Sequence, residues 1–124
     1  MEKIKVFVVD DNIAARAMLM NMIKTQSDME IVGEGGSAKA SVMLIAEARP
    51  DVVMLEMETG EIFELNEFMA QVRNISPDIR VIICAAKGDD ELVTPVTESG
   101  AKDFIRKPYN RLNLFRTIRH AMDE

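Results

Sequence analysis

The chain has 124 residues and a mass of 13.9 kDa, which is one domain of ordinary size and too little for two independent cores. Hydrophobic residues make up 48% and charged residues 29%, a globular composition that is neither disordered nor membrane-spanning. With 15 Lys+Arg against 21 Asp+Glu the net charge is −6, the wrong sign for a phosphate-backbone binder, so no direct nucleic-acid partner is expected. The N-terminus passes straight into Ile4–Val9 without the features of a signal peptide, and a cytoplasmic protein is expected. A lone Cys84 and a lone His120 exclude an internal disulfide and a His/Cys zinc site.

Short, nearly continuous apolar runs at 5–9, 29–33, 51–55, 80–84 and 103–105 read as strands covered on both faces. Helical spacing fills the intervals. Ala14, Ala15, Met18, Leu19, Met22 and Ile23 stripe a first helix, which leaves Ala17 and Met20 off the stripe. Ser37 caps a second, with Ala40, Met43, Leu44 and Ala48 at helical spacing, that stops at Arg49-Pro50. Leu65, Phe68, Met69 and Val72 stripe a third, ended by Ser76-Pro77. A fourth is expected over 89–99, closed by Gly100, and kinked, shortened or restarted at Pro95 because proline lacks the backbone donor and crowds the preceding turn. Leu114, Phe115, Ile118 and Met122 stripe a fifth.

Strand and helix thus alternate as (βα)5, and right-handed crossovers make this a doubly wound, five-stranded parallel α/β sandwich. In such sheets chemistry gathers beyond the carboxyl ends of the strands. Those ends read Asp10-Asp11-Asn12, Glu56-Met57-Glu58, Cys84-Ala85-Ala86 and Arg106-Lys107-Pro108. Asp10 alone could be a helix cap. Acids arriving from a second strand repel one another, and they stay ionised together only around a cation such as Mg²⁺ or Lys107.

With Val9-Asp10-Asp11, Arg49-Pro50-Asp51-Val52-Val53 and Gly100-Ala101-Lys102-Asp103-Phe104-Ile105-Arg106-Lys107-Pro108-Tyr109 in this order, the whole chain, 1–124, resembles a single CheY-like receiver domain of bacterial response regulators. The resemblance implies a flavodoxin-like fold with strand order 2-1-3-4-5 and a place in two-component signalling. In the family an aspartate ending the third strand accepts a phosphoryl group. An acid pair holds Mg²⁺, a lysine touches the phosphoryl oxygens, a Thr or Ser ending the fourth strand follows the phosphate, and an aromatic on the fifth strand turns inward. Asp10 and Asp11 match the acid pair, Lys107 the lysine, Phe104 the aromatic, and Lys107-Pro108 the cis peptide. The backbone carbonyl of Glu58 matches a further metal ligand.

The acceptor position, however, is Glu56, whose carboxylate stands farther out by about one C–C bond, roughly 1.5 Å, within expected reach of Lys107. The hydroxyl position is Ala85, and the loop motifs after the acceptor read Thr59-Gly60 and Phe63-Glu64. An atypical receiver that is not phosphorylated and acts through protein contacts is therefore expected. A receiver that still binds Mg²⁺ and accepts a phosphoryl group is the alternative. A carboxylate-cluster hydrolase comes third, because no nucleophile–base pair or oxyanion motif is present in the sequence. The partners implied are a histidine kinase and an output or chemotaxis component. The implied contact face joins the fourth helix, fifth strand and fifth helix through Asp90, Glu91, Pro95, Phe104, Arg111, Arg116 and Arg119, with acidic Asp89 and Glu98 beside them and a possible homodimer across them. Cys84 reads as a buried small hydrophobe and His120 as a surface residue at a helix C-terminus.

Overall fold

A computed structural model describes residues 2–58, 61–86 and 90–123, apart from the side chain of Phe63. The elements follow the expected alternation: β1 Ile4–Val9, α1 Ile13–Lys24, β2 Met29–Gly35, α2 Ala38–Ala48, β3 Val52–Glu56, α3 Ile62–Ile75, β4 Arg80–Ala85, a 3₁₀ turn Asp90–Leu92, α4 Val93–Ser99, β5 Asp103–Arg106 and α5 Arg111–Ala121. The five strands are parallel in the order β2-β1-β3-β4-β5.

Alternate residues of each strand serve opposite faces, so the continuous apolar runs feed two cores. Phe7, Val9, Val53, Leu55, Val81 and Ile83 pack under Ile45, Leu65, Phe68, Val72 and Val96 of α2, α3 and α4. Val6, Val8, Val52, Met54, Ile82 and Ile105 pack under Leu19 and Ile23 of α1 and Leu114 and Ile118 of α5.

Polar side chains start three of the helices by taking an orphan N–H. Asn12 accepts from Ala15 N at 2.9 Å, Ser37 from Ala40 N at 3.1 Å, and Asn110 from Asn113 N at 3.0 Å. α4 ends where Gly100 turns left-handed at φ +89°, a conformation that needs no Cβ. Pro95 has the expected effect: α4 is shortened to Val93–Ser99, with a 3₁₀ turn ahead of it. Proline then sits in the first helical turn, where the missing N–H has no intrahelical partner to lose.

Two helix faces differ from the sequence reading. In α2 the side chains turned inward are Ser41 and Ile45, with Ala38, Val42 and Ala48 packed beside them, whereas Met43 is 77% and Leu44 45% exposed. This helix is apolar nearly all round, so periodicity did not define its inner side. Close approach does: a Cβ on Gly35 would collide with the Ser41 hydroxyl, which itself donates to Ser37 O at 2.6 Å. In α1 Met18 is exposed, while Met20 packs against the core shared with α5.

The reassigned face of α2 has a direct consequence for stability. Ile45→Ala should cost about 2–5 kcal/mol by chemical denaturation, and Met43→Ala less than about 0.5 kcal/mol. Equal losses would contradict this orientation.

Candidate functional site

β1 and β3 are adjacent, and their carboxyl ends deliver Asp10, Asp11 and Glu56 to one place. One carboxylate oxygen from each lies within 4.8 Å of the others. Asp10 is 3% exposed. An ionised carboxylate so deeply placed requires partners. It has two: Asn12 N donates to Oδ1 at 2.9 Å, and Lys107 Nζ reaches Oδ2 at 3.1 Å. Arg16 braces the same corner, donating to the Asp10 carbonyl at 2.7 Å and to Glu34 at 2.8 Å.

The backbone around the site is tied strand to strand. Asp10 N donates to Gly35 O at 3.0 Å, Met57 N to Cys84 O at 2.9 Å, and Lys107 N to Ala85 O at 2.7 Å. The Lys107-Pro108 peptide is cis, as the resemblance implied.

Lys107 pairs with Asp10, and no Glu56–Lys107 ion pair is formed among the described residues. Asp10 Oδ2 takes its ammonium at 3.1 Å. Glu56 is left half-buried among acids, and its carboxyl is pushed up to about 7. Burial is the main cause. Lys107 opposes it, while Asp10, Asp11 and Glu61 add to it.

Of the four acids expected to converge, Glu58 does not join the cluster. Its carbonyl accepts from Glu61 N at 2.9 Å, and Glu61 Oε1 accepts from Glu58 N at 3.0 Å. One carbonyl lone pair remains for a cation. Glu61 was missed by the sequence reading. Its signal was the acid three residues beyond Glu58 at the entrance to α3, the spacing of a reciprocal cap. Burial raises the carboxyl of Glu61 as well, with the Glu58 N–H opposing and nearby acids reinforcing. Thr59, Gly60, Asp89 and the Phe63 side chain lie outside the described residues.

A set of carboxylate oxygens carrying more negative charge than one lysine can balance fits a hard divalent cation such as Mg²⁺. Asp10, Asp11 and Glu56 would hold it.

Ala85 is fully buried at the end of β4 and offers no hydroxyl. Phe104 is half-buried against the core that contains Ala85, Leu92 and Val96. Its ring lies 5.2 Å beneath the Arg106 guanidinium, which also bonds Asp90 Oδ1 at 2.8 Å. Arg106 was the second residue overlooked. It clamps the aromatic from outside and fastens the 3₁₀ turn to β5. Cys84 is buried as expected, and burial lifts its thiol to about 12; the buried Tyr109 hydroxyl beside it lacks a well-formed hydrogen bond and is likewise shifted upward, chiefly by burial.

On the expected contact face, Asp90 and Glu91 form the 3₁₀ turn, Pro95 lies on α4, and Arg111 and Arg116 lie exposed on α5. Arg116 and His120 border a recess with Asp103 and Phe104. Arg119 points elsewhere, bonding Asp28 at 2.8 Å and Gln26 at 2.7 Å. No helix among the described residues is long and apolar enough to cross a membrane.

Residues 6–119 match the family model of the response regulator receiver domain. A chemotaxis protein CheY of Listeria monocytogenes is 34% identical over 118 residues, covering 95% of this chain and 98% of that protein. CheY of Thermotoga maritima is 31% identical, covering 85% and 86%. Among solved structures, the response regulator domain of Thermotoga maritima CheB superposes with a TM-score of 0.82 at 28% identity, covering 99% of this chain and 98% of that one. The receiver domain of a NarL from Mycobacterium tuberculosis gives 0.86 at 24% identity, a likeness of fold, covering 100% of each chain.

The raised carboxyl of Glu56 makes stability depend on pH. The folded state favours the neutral form, so the contribution is complete below about pH 4.5 and is lost as pH rises through about 7. Relative to Glu56→Gln, the wild type should lose about 1–2 kcal/mol across that window, allowing for solvent screening of a half-exposed group. Parallel denaturation at several pH values checks this. Identical pH slopes in the two proteins would refute it.

Proposed function

The chain belongs to the response regulator receiver family, and on that premise we propose that it is an atypical receiver that does not switch by phosphorylation and signals through protein contacts. The observation that supports this reading most is Glu56 at the acceptor position of an otherwise complete Asp10, Asp11 and Lys107 frame. Acyl phosphate formation requires a carboxylate oxygen to attack phosphorus while the donor's leaving group departs. At Glu56 the attacking oxygen stands about one C–C bond farther out, where the phosphoryl group itself has to fit. A carboxyl pushed up to about 7 is also a poorer nucleophile at neutral pH than an ordinary aspartate.

The readout is altered as well. A phosphate at this position would find no hydroxyl at Ala85, so movement of the β4 end has nothing to pull on. Phe104 is meanwhile held by Arg106 and Asp90. Glu56 is a weak imitation of the phosphorylated state. It carries at most one negative charge and two oxygens, against nearly two charges and three oxygens for a phosphoryl group.

Mg²⁺, held by Asp10, Asp11 and Glu56, would neutralise charge on phosphoryl oxygens in a phosphotransferring receiver. The residues of this chain position carboxylates and an ammonium without an aspartate to accept the group. Receiver domains work with histidine kinases and with output or chemotaxis components. We assign this chain the binding part of that role, with no catalytic turnover, through Asp90, Glu91, Pro95, Phe104, Arg111 and Arg116. The retained acid pair and lysine favour one alternative, a receiver that still accepts a phosphoryl group on Glu56.

Incubation with Mg²⁺ and acetyl phosphate, followed by intact mass measurement, separates the two. No adduct is expected on the wild type, whereas Glu56→Asp/Ala85→Thr should gain one phosphoryl group. An adduct on the wild type that Glu56→Gln removes would establish the alternative. Failure of both proteins to react would show that the surrounding frame, not Glu56 alone, has lost the chemistry.

A further inference from the structure

α1 carries a second apolar face, turned outward. At about 100° per residue, Ile13, Lys24, Ala17, Asn21, Ala14 and Met18 fall in that order across an arc of about 140°. All six are exposed, Ile13 at 73% and Met18 at 58%. The opposite side holds Leu19 and Ile23 in the core. Between its first residue and Lys24 this outer face bears no charge. Along its Met18 edge runs a mostly apolar groove of about 490 Å³ lined by Ala15, Met22, Ala86, Pro108 and Tyr109, with Lys107 the charged residue among them. A contiguous apolar surface of this kind, on a chain of net charge −6, marks a contact site.

We infer that this face binds a second copy of the chain, with the two α1 helices antiparallel about a two-fold axis. The evidence for a second copy is self-complementarity. The two charges that bound the face are opposite in sign and at opposite ends: Lys24 in the last turn, and Asp11 just ahead of the helix, exposed to solvent although its carboxylate also belongs to the acid cluster with Asp10 and Glu56. Neither has an ion-pair partner among the described residues. An antiparallel copy brings each Lys24 to the acidic end of the other helix. It also sets Ala14 near Asn21 and Ala17 near Met18 of the other copy, so small residues at the crossing allow close approach. Met18 of each copy then stands at the edge where the two grooves meet. Antiparallel helix dipoles add a favourable term.

The contact face expected from the sequence is less suited to self-pairing. Its Asp90 is already bonded to Arg106, and Arg119 to Asp28, so the acidic and basic strips are partly neutralised within one chain. The inference draws on the outer side of α1, on Asp11 ahead of it and on the groove beside Pro108, and its test reads association, not phosphorylation.

Sedimentation velocity of the full chain over a range of concentrations tests it, with circular dichroism confirming that each variant is folded. The wild type should show a monomer–dimer equilibrium. Ala17→Glu places a charge at the exposed centre of the face and should leave only monomer. Lys24→Glu should raise the dimer dissociation constant at least about tenfold and remove its salt dependence. Glu47→Lys, on the exposed side of α2, should change nothing. Because Cys84 is buried, Ala17→Cys supplies the accessible thiol, and mild oxidation should link two copies near the axis, while Glu98→Cys should not. A wild type that stays monomeric throughout, a dimer that survives Ala17→Glu, or one lost in Glu47→Lys would overturn the inference.

Discussion

Asp10 is a carboxylate almost wholly removed from water, and the rest of the site is arranged around the charge it must keep satisfied. Its counterion, Lys107, lies 97 residues later in the chain. Breaking that pair would strand a buried charge, at a cost of several kcal/mol. The two residues meet because β1 lies in the interior of the sheet and the turn after β5 folds back over the carboxyl edge. The Lys107 N–H to Ala85 O bond and the Arg16 bond to the Asp10 carbonyl hold that edge from either side. Fold and site are thus the same constraint: parallel strands end together, and the buried acid defines what must be near their ends.

Around this fixed pair the variable parts are Glu56, Ala85 and Phe104. Glu56 shares the acid cluster without sharing the lysine, and burial therefore moves its carboxyl toward neutrality. Ala85 adds packing and no hydrogen bond, and Phe104 is pinned from outside by a guanidinium that is itself bound to Asp90. Ala85 and Phe104 are thus held by packing, a cation–π contact and an ion pair.

The surfaces follow similar logic. Pro95 shortens α4, and the turn before it is fastened by Arg106, so this region has fewer helical turns and an internal ion pair where an acidic strip was expected. α1 is the reverse case: a full-length helix whose outer side carries alanine and methionine where solvent normally selects charge.

Much of this was legible in the sequence. Continuous apolar runs alternating with helical stripes determined the (βα)5 order, because strands covered on both faces cannot show polar alternation. Asp10, Asp11, Glu56, Ala85 and Lys107 were legible as a site because in parallel sheets strand ends are shared. Ser37, Pro95 and Gly100 marked helix boundaries through local backbone chemistry, whereas the cap of α1 is Asn12 and not Asp10. Only tertiary structure decided the rest. α2, apolar nearly all round, acquired an inner side from the contact between Gly35 and Ser41. Lys107 had several carboxylates to choose from, and distance alone gave it to Asp10. Glu61 bonded to Glu58 beside the cluster, and Arg119 left the α5 contact face, through contacts across 3 and 91 residues, respectively. Sequence spacing reports which side of an element is apolar and which groups a strand end presents. It carries no information on which of several charges is nearest, because that depends on how separate elements are packed.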